Sequence, residues 1–307
     1  MIEIQHLTKR YGDVLAVDDI SFAVAHARVT GFVGPNGAGK TTTMRMILGL
    51  DAPSGGTVLI AGRPYRELSA PLRTIGALLD AAALDDGRTA AHHLLWLARS
   101  NDIDRRRVDT VLDQVGLGKY AGRRVGTLSL GMRQRLGIAA ALLGDPAVVM
   151  LDEPTNGLDP DGILWLRAML RQLADEGRTV FVSSHLMNEV AQTADHVVVI
   201  GGGRIIADAP MSSIVAQHGL GAVDVRAARQ ADLSVHLVRH GGLVEPAQHG
   251  AITVRGLAPD AIGAIALAEG IALSELTPRQ ASLEEAFLEL THDTALPTAT
   301  VGARGGD

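Results

Sequence analysis

The chain has 307 residues, room for two domains. Apolar residues make up 47% and aromatics only 3%, so a large core is expected, built from Ala, Val, Leu and Ile. The formal net charge of −6 argues against a general nucleic-acid-binding surface, and the absence of cysteine excludes disulfides, thiolate metal sites and a cysteine nucleophile.

The first residues, Met1-Ile2-Glu3-Ile4-Gln5-His6, carry no basic-then-apolar leader. No apolar run approaches the roughly 18–20 residues that a bilayer span needs. The longest, residues 136–151, is cut by Asp145-Pro146. The expectation is a soluble intracellular protein that must dock on something else if it serves a membrane process. Residues 2–7 alternate apolar and polar as a strand does. Residues 9–13 read as a turn and residues 14–24 as more strand, so an antiparallel sheet is expected ahead of the glycine-rich stretch that begins at residue 34. Tyr11 is either an aromatic platform for a purine ring or a cover for the sheet edge.

Residues 29–33 read as a buried strand, and the run from Thr43 as the start of a helix. Between them stand Gly34, Pro35, Asn36, Gly37, Ala38, Gly39, Lys40, Thr41 and Thr42, which match the phosphate-binding pattern G-x-x-x-x-G-K-[ST]. Strand, loop and helix in that order give the pattern its meaning. Glycines let the backbone curl so that successive N–H groups point inward, and the helix start adds partial positive charge. Lys40 can then reach the outer phosphates, and the Thr41 hydroxyl can sit on Mg²⁺. The chain has three lysines, Lys9, Lys40 and Lys119, so chance placement of one here is improbable.

Strands are expected over residues 57–60 and 74–79, the second ending at Asp80. From about residue 90 to 144 strand signals vanish, and residues 90–99, 104–115 and 130–143 show helical spacing. This reads as a helical subdomain, about residues 86–145, inserted into an α/β core. The core resumes with the continuous apolar run 147–151, typical of a buried parallel strand and followed by Asp152-Glu153. A helix over 160–175, a strand over 179–182 leading to Ser183-Ser184-His185, a helix over 186–193 and a strand over 196–200 complete a parallel sheet. Ligands lie beyond the carboxyl ends of such strands, where Lys40, Asp152, Glu153 and His185 all fall.

After Pro210 the character changes. Strands over 223–226, 243–245, 251–255 and 271–276, with helices over 231–239 and 259–268, predict a small α+β domain over residues 219–294. Ser282-Leu283-Glu284-Glu285 is a capping box opening a last helix to about residue 290. Residues 295–307 are expected to be a disordered tail.

The chemistry comes from these positions. Asp152 can hold Mg²⁺ through water, since Mg²⁺ prefers few carboxylates and several waters. Glu153 can orient the attacking water or take its proton, and His185 can donate to a γ-phosphate oxygen. A second helix start, Leu128-Ser129-Leu130-Gly131-Met132-Arg133-Gln134-Arg135, offers free N–H groups to an anion, with Ser129 capping and Gly131 allowing close approach. Two phosphate-facing helix starts in one chain make sense if two copies pair head to tail.

Taken together, these motifs over residues 1–218 resemble the nucleotide-binding subunit of ATP-binding cassette (ABC) transporters. The resemblance implies a P-loop fold of ABC type, with an antiparallel β subdomain, a parallel-sheet core and the inserted helical subdomain. It also implies ATP and Mg²⁺ as cofactors, a homodimer closed over ATP and a separately encoded membrane permease. It makes Gly157-Leu158-Asp159 the loop that couples the two sites, residues 128–134 the signature, His185 the switch histidine and Tyr11 the adenine-stacking aromatic. Leu130 departs from the family's second signature Gly, and Asp80 stands where a metal-contacting Gln is usual. The region after residue 210 is similar to the C-terminal extension of drug-resistance and ABC-2 type exporter ATPases. The implied function is therefore an ATPase, peripheral on the cytoplasmic face of the membrane, that powers export. A soluble ribosome- or DNA-associated ABC ATPase and an importer ATPase are the alternatives.

Overall fold

The computed structural model describes residues 1–80, 83–218, 223–247 and 250–278. They fall into two compact units, with the break between Asp208 and Ala209.

The first unit opens with β1 (Ile2–Tyr11) and β2 (Val14–Val24), an antiparallel pair. Lys9, Arg10 and Tyr11, expected in a turn, belong to β1 and pair with Val17, Leu15 and Val14. The pairing holds to the hairpin tip, so Gly12 and Asp13 alone reverse the chain. Alternation sends Ile2 and Ile4 inward. At His6 the backbone turns left-handed (φ 50°), the register shifts, and Leu7 becomes the next buried residue.

After β3 (Arg28–Val33) comes α1 (Lys40–Ile47), which begins at the motif lysine, three residues before the expected start. Next, β4 (Gly55–Ile60) pairs antiparallel with β1. The antiparallel sheet, order β2-β1-β4, is thus completed after the phosphate loop rather than ahead of it. Gly56 (φ 80°) lies opposite the His6 bulge, and a Cβ there would stand 2.2 Å from the His6 carbonyl oxygen.

The short α2 (Pro71–Thr74) leads into β5 (Ile75–Leu78). The helical subdomain comes next, with α3 (Ala90–Ser100), α4 (Arg106–Gln114) and α5 (Leu130–Leu142). Thr89 caps α3 and Ser129 caps α5, each accepting from a backbone N–H three residues on. The end of α5 lies hard on β5, where a Cβ at Gly76 would sit 1.7 Å from the Ala141 carbonyl oxygen.

The chain then enters β6 (Val148–Leu151), α6 (Pro160–Asp175), β7 (Thr179–Ser184), α7 (Met187–Ala191), β8 (His196–Gly201) and β9 (Arg204–Pro210). The second sheet has the order β5-β6-β7-β3-β8-β9, with β5, β6, β7, β3 and β8 mutually parallel. The phosphate-loop strand β3 lies inside this sheet, which is why its last five residues are all buried. No sequence pattern marks strand β9. It returns from β8 through Gly202 and Gly203, both at positive φ (54° and 80°), the backbone of a two-residue hairpin.

The seam between the two sheets is aromatic, despite the expected aliphatic core. Phe22 of β2, Phe32 of β3 and Phe181 of β7 stack with ring centroids 5.4–6.0 Å apart. Ile2, Ile4, Ile20, Met44 and Ile60 pack around them in one core.

The second unit contains α8 (Met211–His218), an element not expected from sequence. It continues with β10 (Val223–Ala227), α9 (Gln230–Arg239), β11 (Leu243–Pro246), β12 (Ile252–Arg255), α10 (Pro259–Ala268) and β13 (Leu273–Pro278). The sheet order β11-β12-β10-β13 is wholly antiparallel and places β12 between β10 and β11, the split βαβ arrangement. Val223, Val225, Ile252 and Val254 meet Leu233, Leu237 and Ile262 in its core. The predicted last helix and the tail lie outside the described residues.

Candidate active site

The phosphate loop hangs between the end of β3 and the start of α1. A Cβ at Gly34 would stand 2.3 Å from the Ile200 carbonyl oxygen, so the loop can hug β8 only with glycine there. Gly39 has φ 107° and is the N-cap of α1, with no side chain taking its first N–H groups. The open donors and the helix dipole make this an anion site. Gly37 (φ 82°) completes the curl, Ala38 N–H donates to the Pro35 carbonyl at 3.1 Å, and Asn36 sits at the exposed bend.

Lys40, 6% exposed, gives Nζ hydrogens to the Gly34 carbonyl (2.7 Å) and the Pro35 carbonyl (3.3 Å). Its third neighbour is Glu153 Oε1, at 3.3 Å. The other carboxylate oxygen, Oε2, accepts from His185 Nδ1 at 2.8 Å. Lys40, Glu153 and His185, 145 residues apart at their extremes, therefore form one continuous cluster around a carboxylate. Beside it the Thr41 hydroxyl donates to Asp152 Oδ2 at 2.6 Å. Asp80 lies two residues past β5, whose Leu78 carbonyl accepts from Asp152 N–H at 2.8 Å; the Asp80 side chain is exposed. Strand ends β3, β5, β6 and β7 thus deliver the site to one sheet edge.

Glu153 is held in the left-handed region (φ 46°), which a non-glycine residue adopts at a cost of about 1–3 kcal/mol. Ser183, which belongs to none of the motifs, is one of its constraints. The buried Ser183 hydroxyl donates to Asp152 Oδ1 and accepts from Glu153 N–H at 2.9 Å. The available signal was a polar pair, Ser183-Ser184, ending an apolar strand. Glu189 of α7 likewise lies outside every motif. Its carboxylate accepts from Thr155 (2.9 Å) and Ser184 (3.1 Å), tying the loop after Glu153 to the residue before His185.

Tyr11 stands beside the first turn of α1. Its hydroxyl donates to Asp51 Oδ2 at 2.9 Å, and Lys9 Nζ lies 4.7 Å from its ring centroid. Desolvation, then the Asp51 hydrogen bond, raises the Tyr11 pKa, with the Thr42 side chain pulling the other way. Asp51 is held below the usual carboxylate range by hydrogen bonds from Arg45 and Tyr11. Tyr11 as a whole is 47% exposed.

Ser129, Gly131 and Asp159 form a second cluster at the tips of α5 and α6. Ser129 Oγ accepts from Met132 N–H at 3.3 Å, and Asp159 Oδ1 from Gly162 N–H at 2.9 Å. A Cβ at Gly131 would stand 3.0 Å from the Gly157 carbonyl oxygen, so the α5 tip packs on the loop that leads into α6.

The donor set suits Mg²⁺. One carboxylate and one hydroxyl, those of Asp152 and Thr41, stand side by side, the few hard oxygen donors that Mg²⁺ accepts alongside water.

A glycine-rich loop at a helix start, a strand-end Asp-Glu pair and a parallel sheet define a P-loop nucleotide hydrolase. A family model for ABC transporters matches residues 17–156, and one for a domain of unknown function matches residues 221–284. The bacitracin transport ATP-binding protein BcrA of Bacillus licheniformis is 42% identical over 217 residues, covering 70% of this chain and 71% of that protein. The Nod factor export ATP-binding protein I of Cupriavidus pinatubonensis is 33% identical over 299 residues, 95% and 90% of the two chains. The solved dimeric structure of a bacterial ABC transporter cassette superposes with TM-score 0.63 at 25% identity, covering 69% of this chain and 99% of that one. The chain belongs to the ATP-binding proteins of ABC transporters, and it is an ATP-hydrolysing enzyme.

Proposed function

We propose that this ATPase powers export through a separate membrane permease, working as a homodimer that closes over two ATP molecules. The reading draws support from the kinship with ATP-binding proteins named for bacitracin transport and Nod factor export. Among the described residues no helix is long and apolar enough to cross a membrane. In this reading the protein sits on the cytoplasmic face of the membrane, its cassette is residues 1–218, and residues 219–294 are an accessory domain.

The observation that carries the chemistry is the contact chain Lys40–Glu153–His185 beside Thr41–Asp152. Backbone N–H groups of residues 37–42 and Lys40 receive the β- and γ-phosphates, and Tyr11 stacks on adenine. Thr41 and Asp152 would hold Mg²⁺, with Asp80 as a further candidate ligand. The ion, when bound, neutralises charge building on the phosphate oxygens. Glu153 takes a proton from the attacking water, and His185 fixes the carboxylate and then the γ-phosphate. Ser129 and Gly131 of each copy close the partner's site, and Asp159 couples the two. Glu153→Gln is expected to bind ATP, stop hydrolysing it and accumulate as an ATP-bound dimer in sedimentation. Turnover at the wild-type rate in that variant removes Glu153 as the base.

A further inference from the structure

We propose that Gln134 is a positioning residue for Glu153. It fixes the loop that carries the carboxylate, and it does so from the helix whose tip is read as closing the partner's site. The inference rests on Glu153 being the base.

Glu153 occupies a costly left-handed backbone, and such a conformation persists only where its surroundings over-determine it. The following residue, Pro154, has no N–H, so its carbonyl is its one backbone handle. That handle is taken by Gln134. The Nε2 of this side chain, in a residue only 5% exposed, donates to the Pro154 carbonyl at 3.1 Å. On the other side of Glu153, its own N–H donates to Ser183. Glu153 is thus pinned on both flanks, by β7 before it and by α5 after it. A buried amide is costly unless it is bonded, so the Gln134 contact is a commitment of α5 and not an incidental touch.

A second contact holds α5 to the same loop. Leu130 stands where the family has glycine and is 63% exposed, yet it lies directly over Gly157. A Cβ at Gly157 would come within 2.5 Å of the Leu130 side chain. Leu130 and Gln134 are four residues apart, on one face of α5, and they touch the loop at its two ends. The α5 tip and the segment 153–157 therefore move together, and a displaced tip misaims the carboxylate.

The test uses the full chain with Mg·ATP. Gln134→Leu keeps the bulk and deletes the donor. Its kcat is expected to fall about 10- to 100-fold, the effect of a misplacement on the order of 1 Å. ATP affinity, measured without Mg²⁺, should change less than about twofold, because Gln134 does not touch the phosphate loop. A parallel loss of affinity, or an unchanged kcat in a folded variant, overturns the proposal. Gln134→Glu keeps the shape but presents an acceptor to the Pro154 carbonyl when ionised and a donor when protonated. Its kcat relative to wild type should rise as pH falls, and a flat ratio overturns the proposal even if Gln134→Leu fails to fold. Glu153→Gln is run alongside. If it hydrolyses ATP normally, the base assignment has failed. If it is inactive while Gln134→Leu turns over fully, only the positioning role has failed.

Discussion

Ser183 uses one hydroxyl on both acidic residues of the site, donating to Asp152 and accepting from the backbone of Glu153. A hydrogen bond to a charged group contributes about 1.5–3 kcal/mol, so Ser183→Ala should lower kcat by about tenfold or more. Steady-state ATPase assays with calorimetric ATP binding would show it as a kcat loss at near-constant affinity. Tyr11 offers a second residue-scale test. If its ring is the adenine platform, Tyr11→Ala weakens ATP binding by about 3- to 10-fold and Tyr11→Phe leaves it intact. Equal weakening in both variants would assign the effect to the Asp51 hydrogen bond instead. The motif residues were legible because their chemistry is written in fixed local spacings. Ser183 and Glu189 stand outside every motif, and the contact that Gln134 makes from within the signature was not legible either, since each acts on a residue 20 to 34 positions away through a contact made only on folding.

Among the elements, α3 carries an unusual burden. His93 is 8% exposed, and its Nδ1 has no hydrogen-bond partner among the described residues. Burial first, then Arg88, pushes its pKa down. The folded state thus keeps this imidazole neutral while the unfolded chain takes up a proton below about pH 6.5. There the unfolded state binds more protons, so stability rises with pH and is lost on acidification through that range. Melting temperatures at pH 5.5 and 7.5 should differ for the wild type, and His93→Leu should narrow the gap. An unaltered gap would trace the acid sensitivity to other groups. The helices and buried strands were readable from periodicity. Strand β9 was not, because a glycine run signals a turn without saying that a strand comes after it. The hairpin needs β8 as a template to exist.

For the whole molecule the decisive question is whether two copies close on ATP. Ser129→Arg puts a long charged side chain on the α5 tip. Turnover should collapse while each monomer binds ATP as before. In a Glu153→Gln background the ATP-induced dimer should disappear from sedimentation profiles. Wild-type turnover in Ser129→Arg would sink the shared-site model. The second unit's alternation of strands and helices was visible in its sequence. Its sheet order was not, because placing β12 between β10 and β11 is a choice among pairings that local pattern leaves equal.

By itself, the sequence determined the nucleotide chemistry, the order of most elements and the family. Those depend on short-range spacing, turn residues and hydrophobic period, which folding does not rewrite. Only the tertiary structure decided that Lys40, Glu153 and His185 share one cluster, that β4 closes the first sheet and that a trio of phenylalanines joins the two sheets. Such facts require distant segments to meet, and the free energy that brings them together comes from burying surfaces no single segment possesses.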